Sequence, residues 1–319
     1  MRKTAGRALT VLALALAGGC QMAAPYSPAE APPQPRPQAA LPAPAQPDGP
    51  SATSRELTSY YARVQADLLA QGLLRTDGGG PDTPFDGAAL LRNFERIALS
   101  DEYSQGAGLV AAPVTTGPVK KWVKPVRVRA EFGGSVPPAQ RALDRAELAT
   151  YVGRLGRVTG HPISMTDIAP NFHVFFAGED DRATLVPRIR QVVPDIDAAS
   201  LNLIQSMPRS IYCFVIAFAD SRNGSAYDQA VAVIRAEQSG LMRKSCIHEE
   251  VAQGLGLAND SPYARPSIFN DDDEFALLTT HDEMLLRILY DPRLTPGMSA
   301  EAALPIVEDL ASRLAGGPS

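Results

Sequence analysis

The stretch that decides the fold is Cys246-Ile247-His248-Glu249-Glu250-Val251-Ala252-Gln253-Gly254-Leu255-Gly256-Leu257-Ala258-Asn259-Asp260. At about 100° per residue, Ile247 and Val251 fall on one side of a helix, and Glu249 and Gln253 fall on the opposite side. A glycine such as Gly256 is typical of the turn that ends a helix. The stretch therefore predicts an amphipathic helix over residues 240–256 with a polar face.

The polar positions follow a spacing that is known from zinc enzymes. Glu249-Glu250-x-x-Gln253-x-x-Gly256-x-x-Asn259 resembles HExxHxxGxxH, the zinc signature of the metzincin peptidases. Glu250 takes the place of the general base, and Gly256 takes that of the turn glycine. Glu249, Gln253 and Asn259 stand where the signature has its three histidine ligands. The segment is thus similar to a metzincin helix whose nitrogen ligands have been replaced by oxygen-bearing side chains.

Later residues extend this resemblance. Metzincins place a methionine turn beneath the metal and follow it with a C-terminal helix, and here Phe269 occupies the place comparable to that methionine. Residues 278–290 resemble the closing helix. The supporting candidates for the site are His248, Gly256, Asp260, Phe269, Asn270, His281 and Asp282.

A wider pattern of residues runs through the C-terminal half of the chain. It consists of Cys246, Glu249-Glu250, Gln253, Gly256-Leu257, Asn259-Asp260-Ser261, Ser267, Phe269-Asn270-Asp271, Leu289-Tyr290-Asp291-Pro292 and Gly297-Met298. This pattern resembles the domain of unknown function 2927 family, a group of proteobacterial lipoproteins without an established activity. The resemblance implies a protein of the cell envelope and brings no reaction with it.

Hydrophobic periodicity places the remaining elements. Helical spacing appears over residues 54–75, 86–101, 138–158 and 182–206, and strands are indicated over 124–132, 163–167, 173–177, 210–219 and 227–236. The run 210–219 is nearly all apolar, which predicts a central strand. This order predicts an α+β fold, with a zincin- or metzincin-like mixed sheet, a long motif helix, a helical C-terminal part and preceding N-terminal helices.

The N-terminal sequence is typical of a targeting segment. Basic residues precede a short apolar run over residues 9–17, and small residues then lead to Cys20. This order resembles a bacterial lipoprotein signal with Cys20 as the lipidated residue. Gln21 in place of aspartate favours the outer over the inner membrane, with the protein facing the periplasm. The predicted domains are a signal (1–20), a disordered tether (21–50), a helical preface with a loop (51–118) and a zincin-like domain (119–316).

Composition excludes several classes of function. The tether holds ten Pro and eight Ala, which prevents regular helix or sheet. A hydrophobic share of 45% rules out a wholly disordered chain, and a net charge of -5 argues against a nucleic-acid partner. After lipidation of Cys20, only Cys213 and Cys246 remain. Since cysteines usually pair in an oxidising envelope, these two are expected to form a disulfide.

The chemistry of the motif leaves three hypotheses open. Zinc prefers nitrogen and sulfur donors, and calcium needs six to eight oxygens, so no cofactor is the favoured expectation, with zinc or calcium as alternatives. The favoured hypothesis is a non-catalytic module that binds a peptide or an envelope protein and is held at the membrane by lipid. The second is a peptidase-like hydrolase, with or without a metal, that uses Glu250 as general base. The third is a buried polar network with a purely structural role.

Overall fold

A computed structural model describes residues 49–100, 115–220 and 224–316. Its six strands are β1 (Lys121–Trp122), β2 (Val126–Phe132), β3 (Ile163–Met165), β4 (Phe172–Ala177), β5 (Cys213–Ala219) and β6 (Ala226–Arg235). Its helices are α1 (Ala52–Ala70), α2 (Gly87–Ala98), α3 (Pro138–Thr159), α4 (Arg182–Val192), α5 (Ala198–Ser206), α6 (Gly240–Gln253), α7 (Thr280–Leu289) and α8 (Ala300–Ala315). None of the described helices combines the length and the apolar character that a membrane span requires.

The strands form one mixed sheet in the order β1-β6-β4-β2-β3, and β5 joins it antiparallel to β6. All other pairs are parallel. The central strand β4 pairs with β2 on one side and with β6 on the other, and its six residues are all buried. A continuous apolar run is typical of a parallel strand that is covered on both faces. The predicted α+β class with a mixed sheet is confirmed.

Helices cover both faces of the sheet. On one face a large core joins α3 and α6 to the strands through residues such as Leu148 and Val251. On the other face, α4 and α5 pack against alternate strand residues, among them Phe175 and Phe214. The motif helix is therefore held against the sheet over its apolar side, as its sequence pattern predicts.

The helix α2 belongs to the same core as the sheet. Its residues Leu90, Phe94 and Ile97 are fully buried, and it packs mainly on α8. The close approach is made at Gly87, where an added Cβ would lie 3.2 Å from the backbone of Ser312. The core thus extends across the boundary that the sequence predicts at residue 118.

Two expectations about single elements are wrong. The apolar run predicted as a central strand is β5, which lies at an edge, since it pairs with β6 and with no other described strand. It is apolar because both of its faces pack against other elements: Val215 lies in the core beside α6, and Phe214 lies in the core beside α4. The helix predicted over 182–206 is divided into α4 and α5. Val193 leaves the helical conformation (φ −126°, ψ 85°), because a residue that precedes proline, here Pro194, is pushed toward an extended backbone.

Several predicted segments lie outside the described residues. They are the signal with Cys20, residues 21–48 of the tether, and residues 101–114 of the helical preface with its loop.

Candidate functional site

The end of the motif helix is fixed by long-range hydrogen bonds. The indole Nε1 of Trp122 donates to the carbonyl oxygen of Gly254 at 2.8 Å, and the hydroxyl of Tyr290 donates to that of Leu255 at 2.8 Å. These bonds satisfy carbonyl groups that a helix end leaves without intrahelical partners. The helix therefore ends at a defined place against β1 and the end of α7.

The turn after the helix requires glycine at Gly256. Its φ is +124°, and an added Cβ would lie 2.6 Å from the carbonyl oxygen of Lys120. Residues other than glycine are strained in this region of backbone conformation. The sequence prediction that Gly256 turns the chain agrees with this geometry.

The start of the motif helix is held by a buried ion pair. Arg243 Nη1 lies 2.6 Å from Asp144 Oδ2 on α3, and both side chains are almost fully buried. Arg243 Nε also donates to the carbonyl oxygen of Gln238 at 2.9 Å. Because the charges are paired and further hydrogen-bonded, their burial is tolerated, and α6 is tied to α3 in one orientation.

Two carboxylates and a disulfide meet where the motif helix contacts β5. Cys213, the first residue of β5, is bonded to Cys246 on α6, with a Cα–Cα distance of 5.8 Å. The predicted disulfide is therefore present. One carboxylate oxygen each from Glu249 and Glu250 and the Sγ of Cys213 all lie within 4.8 Å of one another. Glu250 is only 3% exposed, whereas Glu249 is half-buried.

The other two predicted ligand positions have different environments. Asn259 is 7% exposed, and its amide nitrogen donates to the carbonyl oxygen of Arg96 at 2.9 Å. Its backbone N–H donates to the carbonyl oxygen of Ile97 at 3.1 Å. Asn259 therefore caps the C-terminal end of α2. Gln253 is 8% exposed at the last position of α6.

His248 connects three parts of the fold. Its ring stacks on that of Tyr151 from α3, with centroids 3.9 Å apart. The backbone N–H of Leu278 donates to Nδ1 at 3.1 Å, so the neutral ring carries its proton on Nε2. Burial lowers the pKa of His248 to about 4, and the positive charge of Arg154 acts in the same direction. His248 is thus an uncharged packing group.

His281 and Asp282 form a buried network at the start of α7. Both are 0% exposed. The amide of Asn93 donates to His281 Nε2 at 3.0 Å, which leaves the proton on Nδ1, 3.4 Å from Asp282 Oδ1. Asp282 also accepts from the hydroxyl of Ser267 at 2.5 Å and from the backbone N–H of Thr279 at 3.0 Å. These bonds hold the segment before α7 onto the start of that helix.

The remaining supporting candidates lie in the same segment. Phe269 is fully buried in the core, and its carbonyl oxygen accepts from the backbone N–H of Ser261 at 2.8 Å. The amide of Asn270 donates to the carbonyl oxygen of Ala264 at 3.1 Å. The backbone carbonyl of Asp260 accepts from Arg96 Nε at 3.3 Å. These contacts shape the chain after the motif.

The ligand positions of the metzincin spacing do not fit a zinc ion. The amide of Asn259 is engaged by α2, and glutamine and asparagine offer zinc only weak oxygen donors. The sulfur beside Glu249 and Glu250 belongs to a disulfide, whereas zinc binds the thiolate. In the oxidised protein, two neighbouring carboxylates remain as the strongest donors of this region.

A cavity elsewhere in the molecule is lined by none of the residues of the metzincin spacing. It has a volume of about 270 Å³ and is lined by residues that include Lys121, His161 and Tyr290. Lys121 Nζ donates to the carbonyl oxygens of Leu289 and Asp291 at 2.9 and 3.1 Å. Burial lowers the pKa of Lys121 to about 8. The sequence points to this cavity only through Tyr290 and Pro292, which belong to the family pattern and line it.

Several residues that hold the site in place belong to no recognisable sequence motif. Tyr151, Asn93 and the pair of Arg243 with Asp144 all hold predicted site residues or their helix, yet none belongs to a recognisable spacing. Arg243 is unusual because it is a charged residue that is buried. Burial cannot be read from a single sequence, so Arg243 could not be singled out.

The sequence profile of the family described as Protein of unknown function (DUF2927) matches residues 87–309. The chain belongs to the DUF2927 family. The DUF2927 match begins at α2, includes the whole sheet and the motif helix, and ends within α8. The family predicted from the sequence is thereby confirmed. No curated protein and no solved structure matches the chain significantly.

Proposed function

We propose that this protein is a lipid-anchored module of the cell envelope that binds an extended peptide segment of a partner without cleaving it. The observation that carries the proposal is the edge strand β5. Its seven residues pair with β6 along one edge, and no described strand pairs with the other edge. An edge of this kind presents a row of backbone donors and acceptors to another chain.

The sequence of β5 supports strand addition. Cys213 to Ala219 contains no charge and no proline, and most of its residues are half-buried. Natural edge strands usually carry lysine, proline or a charge that discourages pairing, and these are missing here. The Pro-rich tether is a poor occupant of this edge, because proline supplies no N–H to the ladder. A peptide from another protein is therefore the proposed occupant.

The experiment selects 12-residue peptides from a random displayed library against the full chain carrying Cys20→Ser. The best peptide is then resynthesised with single N-methyl groups along its length. In strand addition, only every second peptide amide bonds to β5, so methylation is expected to abolish binding at alternate positions. Uniform tolerance of N-methylation, or failure to recover any peptide, contradicts the proposal.

A matched pair of variants locates the binding edge. Ile216→Arg adds a charge at a half-buried apolar position of β5, and Met165→Arg adds the same charge at a half-buried apolar position of β3, at the opposite edge of the sheet. We expect the first to weaken peptide binding at least about tenfold and the second to leave it unchanged. Equal effects of the two variants would place the peptide elsewhere.

The alternative proposal is a peptidase-like hydrolase with Glu250 as general base. The closeness of Glu249 and Glu250 favours it, since paired carboxylates can divide acid and base roles. The burial of Glu250 and the engagement of Asn259 by α2 favour the binding module instead. Cleavage of the selected peptides by the native chain, lost in Glu250→Gln, would replace the binding proposal with this one.

Membrane attachment is proposed from the sequence alone. The basic residues, short apolar run and Cys20 support lipidation, and Gln21 supports delivery to the outer membrane. Intact-mass analysis of the mature protein is expected to give an acylated N-terminus at Cys20, and density-gradient fractionation is expected to place it with outer membranes. An unmodified Met1, or a soluble protein that keeps its first residues, contradicts this part of the proposal.

A further inference from the structure

We propose that opening the Cys213–Cys246 disulfide creates a binding site for a divalent transition-metal ion, with Cys213, Glu249 and Glu250 as its ligands. This proposal is independent of the peptide-binding function. It uses a different set of ligands from the metzincin spacing, because Gln253 and Asn259 take no part. While Cys246 is bonded to Cys213, the sulfur of Cys213 cannot bind a metal ion.

The geometry brings hard and soft ligands together from two elements. Glu249 and Glu250 come from α6, and Cys213 comes from the first residue of β5. Their three candidate ligand atoms already lie within 4.8 Å of one another. Zinc bonds of about 2.0–2.3 Å place tetrahedral ligands roughly 3.5 Å apart, so closing the site requires shifts of little more than about 1 Å. Rotation of glutamate side chains supplies shifts of that size.

The site also has a path from solvent. Cys213 and Glu249 are half-buried, and Glu250 closes the inner side. One thiolate and two carboxylates carry three negative charges, which a divalent ion reduces to one. A fourth position remains for water, as in zinc sites with three protein ligands. Thiolate coordination favours zinc over calcium or magnesium.

The redox step balances with a dithiol reductant. The dithiol donates two electrons and two protons, becomes a disulfide itself, and leaves Cys213 and Cys246 as two thiols. Binding of Zn²⁺ then displaces the proton of the Cys213 thiol into solvent. Re-forming the disulfide requires the Cys213 sulfur that binds the metal, so the bound metal and the disulfide exclude each other.

The test compares two variants that both lack the disulfide. In the full chain with Cys20→Ser, Cys246→Ser frees Cys213, whereas Cys213→Ser frees Cys246. Cobalt(II) is the probe, because a thiolate ligand gives it an intense near-ultraviolet charge-transfer band. We expect Cys246→Ser to bind one equivalent with this band in the absence of reductant, and Cys213→Ser and the oxidised chain to show none.

Carboxylate variants in the Cys246→Ser background test the other ligands. Glu249→Gln or Glu250→Gln removes a charged ligand and should raise the dissociation constant for Zn²⁺ by more than the roughly 10–100-fold that loss of an outer-shell partner causes. Asp167→Asn, just after β3 at the edge of the sheet opposite to β5, removes one exposed charge away from the site and should leave the dissociation constant unchanged. Equal binding by both cysteine variants, no binding by Cys246→Ser, or equal binding by the oxidised chain would overturn the proposal.

A second measurement avoids the variants and their effect on folding. The Cys20→Ser chain is reduced with dithiothreitol, desalted without oxygen and exposed to an alkylating reagent. One equivalent of Zn²⁺ should slow alkylation of Cys213 at least about tenfold, with Cys246 as the internal comparison. Unchanged alkylation of Cys213 contradicts the proposal.

Discussion

The buried imidazole of His248 makes the stability of the domain depend on pH. Its pKa is lowered from 6.5 to about 4, with burial as the main cause. The unfolded chain therefore binds this proton more readily than the folded chain does. The stabilisation by His248 is complete above about pH 6.5 and is lost as the pH falls toward about 4.

The size of the effect follows from the shift in pKa. Lowering the pKa of His248 from 6.5 to about 4 corresponds to roughly 3 kcal/mol between the two protonation states. At pH 5 the unfolded state is already protonated and the folded state is mostly neutral, so about 2 kcal/mol of this is lost. The neutral ring is favoured because it lies buried against Tyr151 and accepts from the N–H of Leu278, and the carboxylate of Glu147, 3.7 Å from Nε2, only partly offsets this.

The perturbation is His248→Gln, which keeps an acceptor and removes the titration. Urea unfolding at pH 8 and pH 5 gives the free energy of unfolding of both proteins. The variant should be less stable at pH 8, yet its loss between pH 8 and pH 5 should be smaller by about 2 kcal/mol. An identical loss in both proteins would refute the assignment of His248 as a buried neutral group.

Three further substitutions test how the motif helix is held. Gly256→Ala should lower the free energy of unfolding, measured by thermal unfolding, by about 1–3 kcal/mol. The backbone at this position has a positive φ, and the added Cβ meets the carbonyl of Lys120. Unchanged stability would contradict this. Arg243→Met should lower the free energy of unfolding in urea by about 3–5 kcal/mol, because Asp144 stays buried without its positively charged partner. Adding Asp144→Leu should recover much of that stability, and a double variant as unstable as Arg243→Met would contradict this explanation. Cys246→Ser should cost about 3–4 kcal/mol, because the disulfide spans a sequence separation of 33, and added reductant should change the variant little.

Local patterns explain what could be predicted from the sequence. The apolar spacing of Ile247 and Val251 defines the buried side of α6, and Gly256 marks its turn because few other residues adopt that backbone conformation. The two cysteines of the domain pair because no third one lies within it. Each of these features depends on neighbouring residues or on simple counting.

The partners of the candidate site could not be predicted in this way. Asn259 bonds to the backbone of Arg96, which lies 163 positions away, and His281 bonds to Asn93 across 188 positions. Spacing within one helix says nothing about such contacts. The edge position of β5 was missed for a similar reason, because an apolar strand indicates burial of its faces and not pairing of its edges.

The central claim is that the domain binds an extended peptide along β5 and does not cleave it. The most direct measurement incubates the oxidised full chain carrying Cys20→Ser with a diverse peptide mixture and follows retained and newly formed peptides by mass spectrometry. We expect a subset of peptides to be retained intact, equally by the native chain and by Glu250→Gln. New peptide termini that form with the native chain and are absent with Glu250→Gln would contradict it.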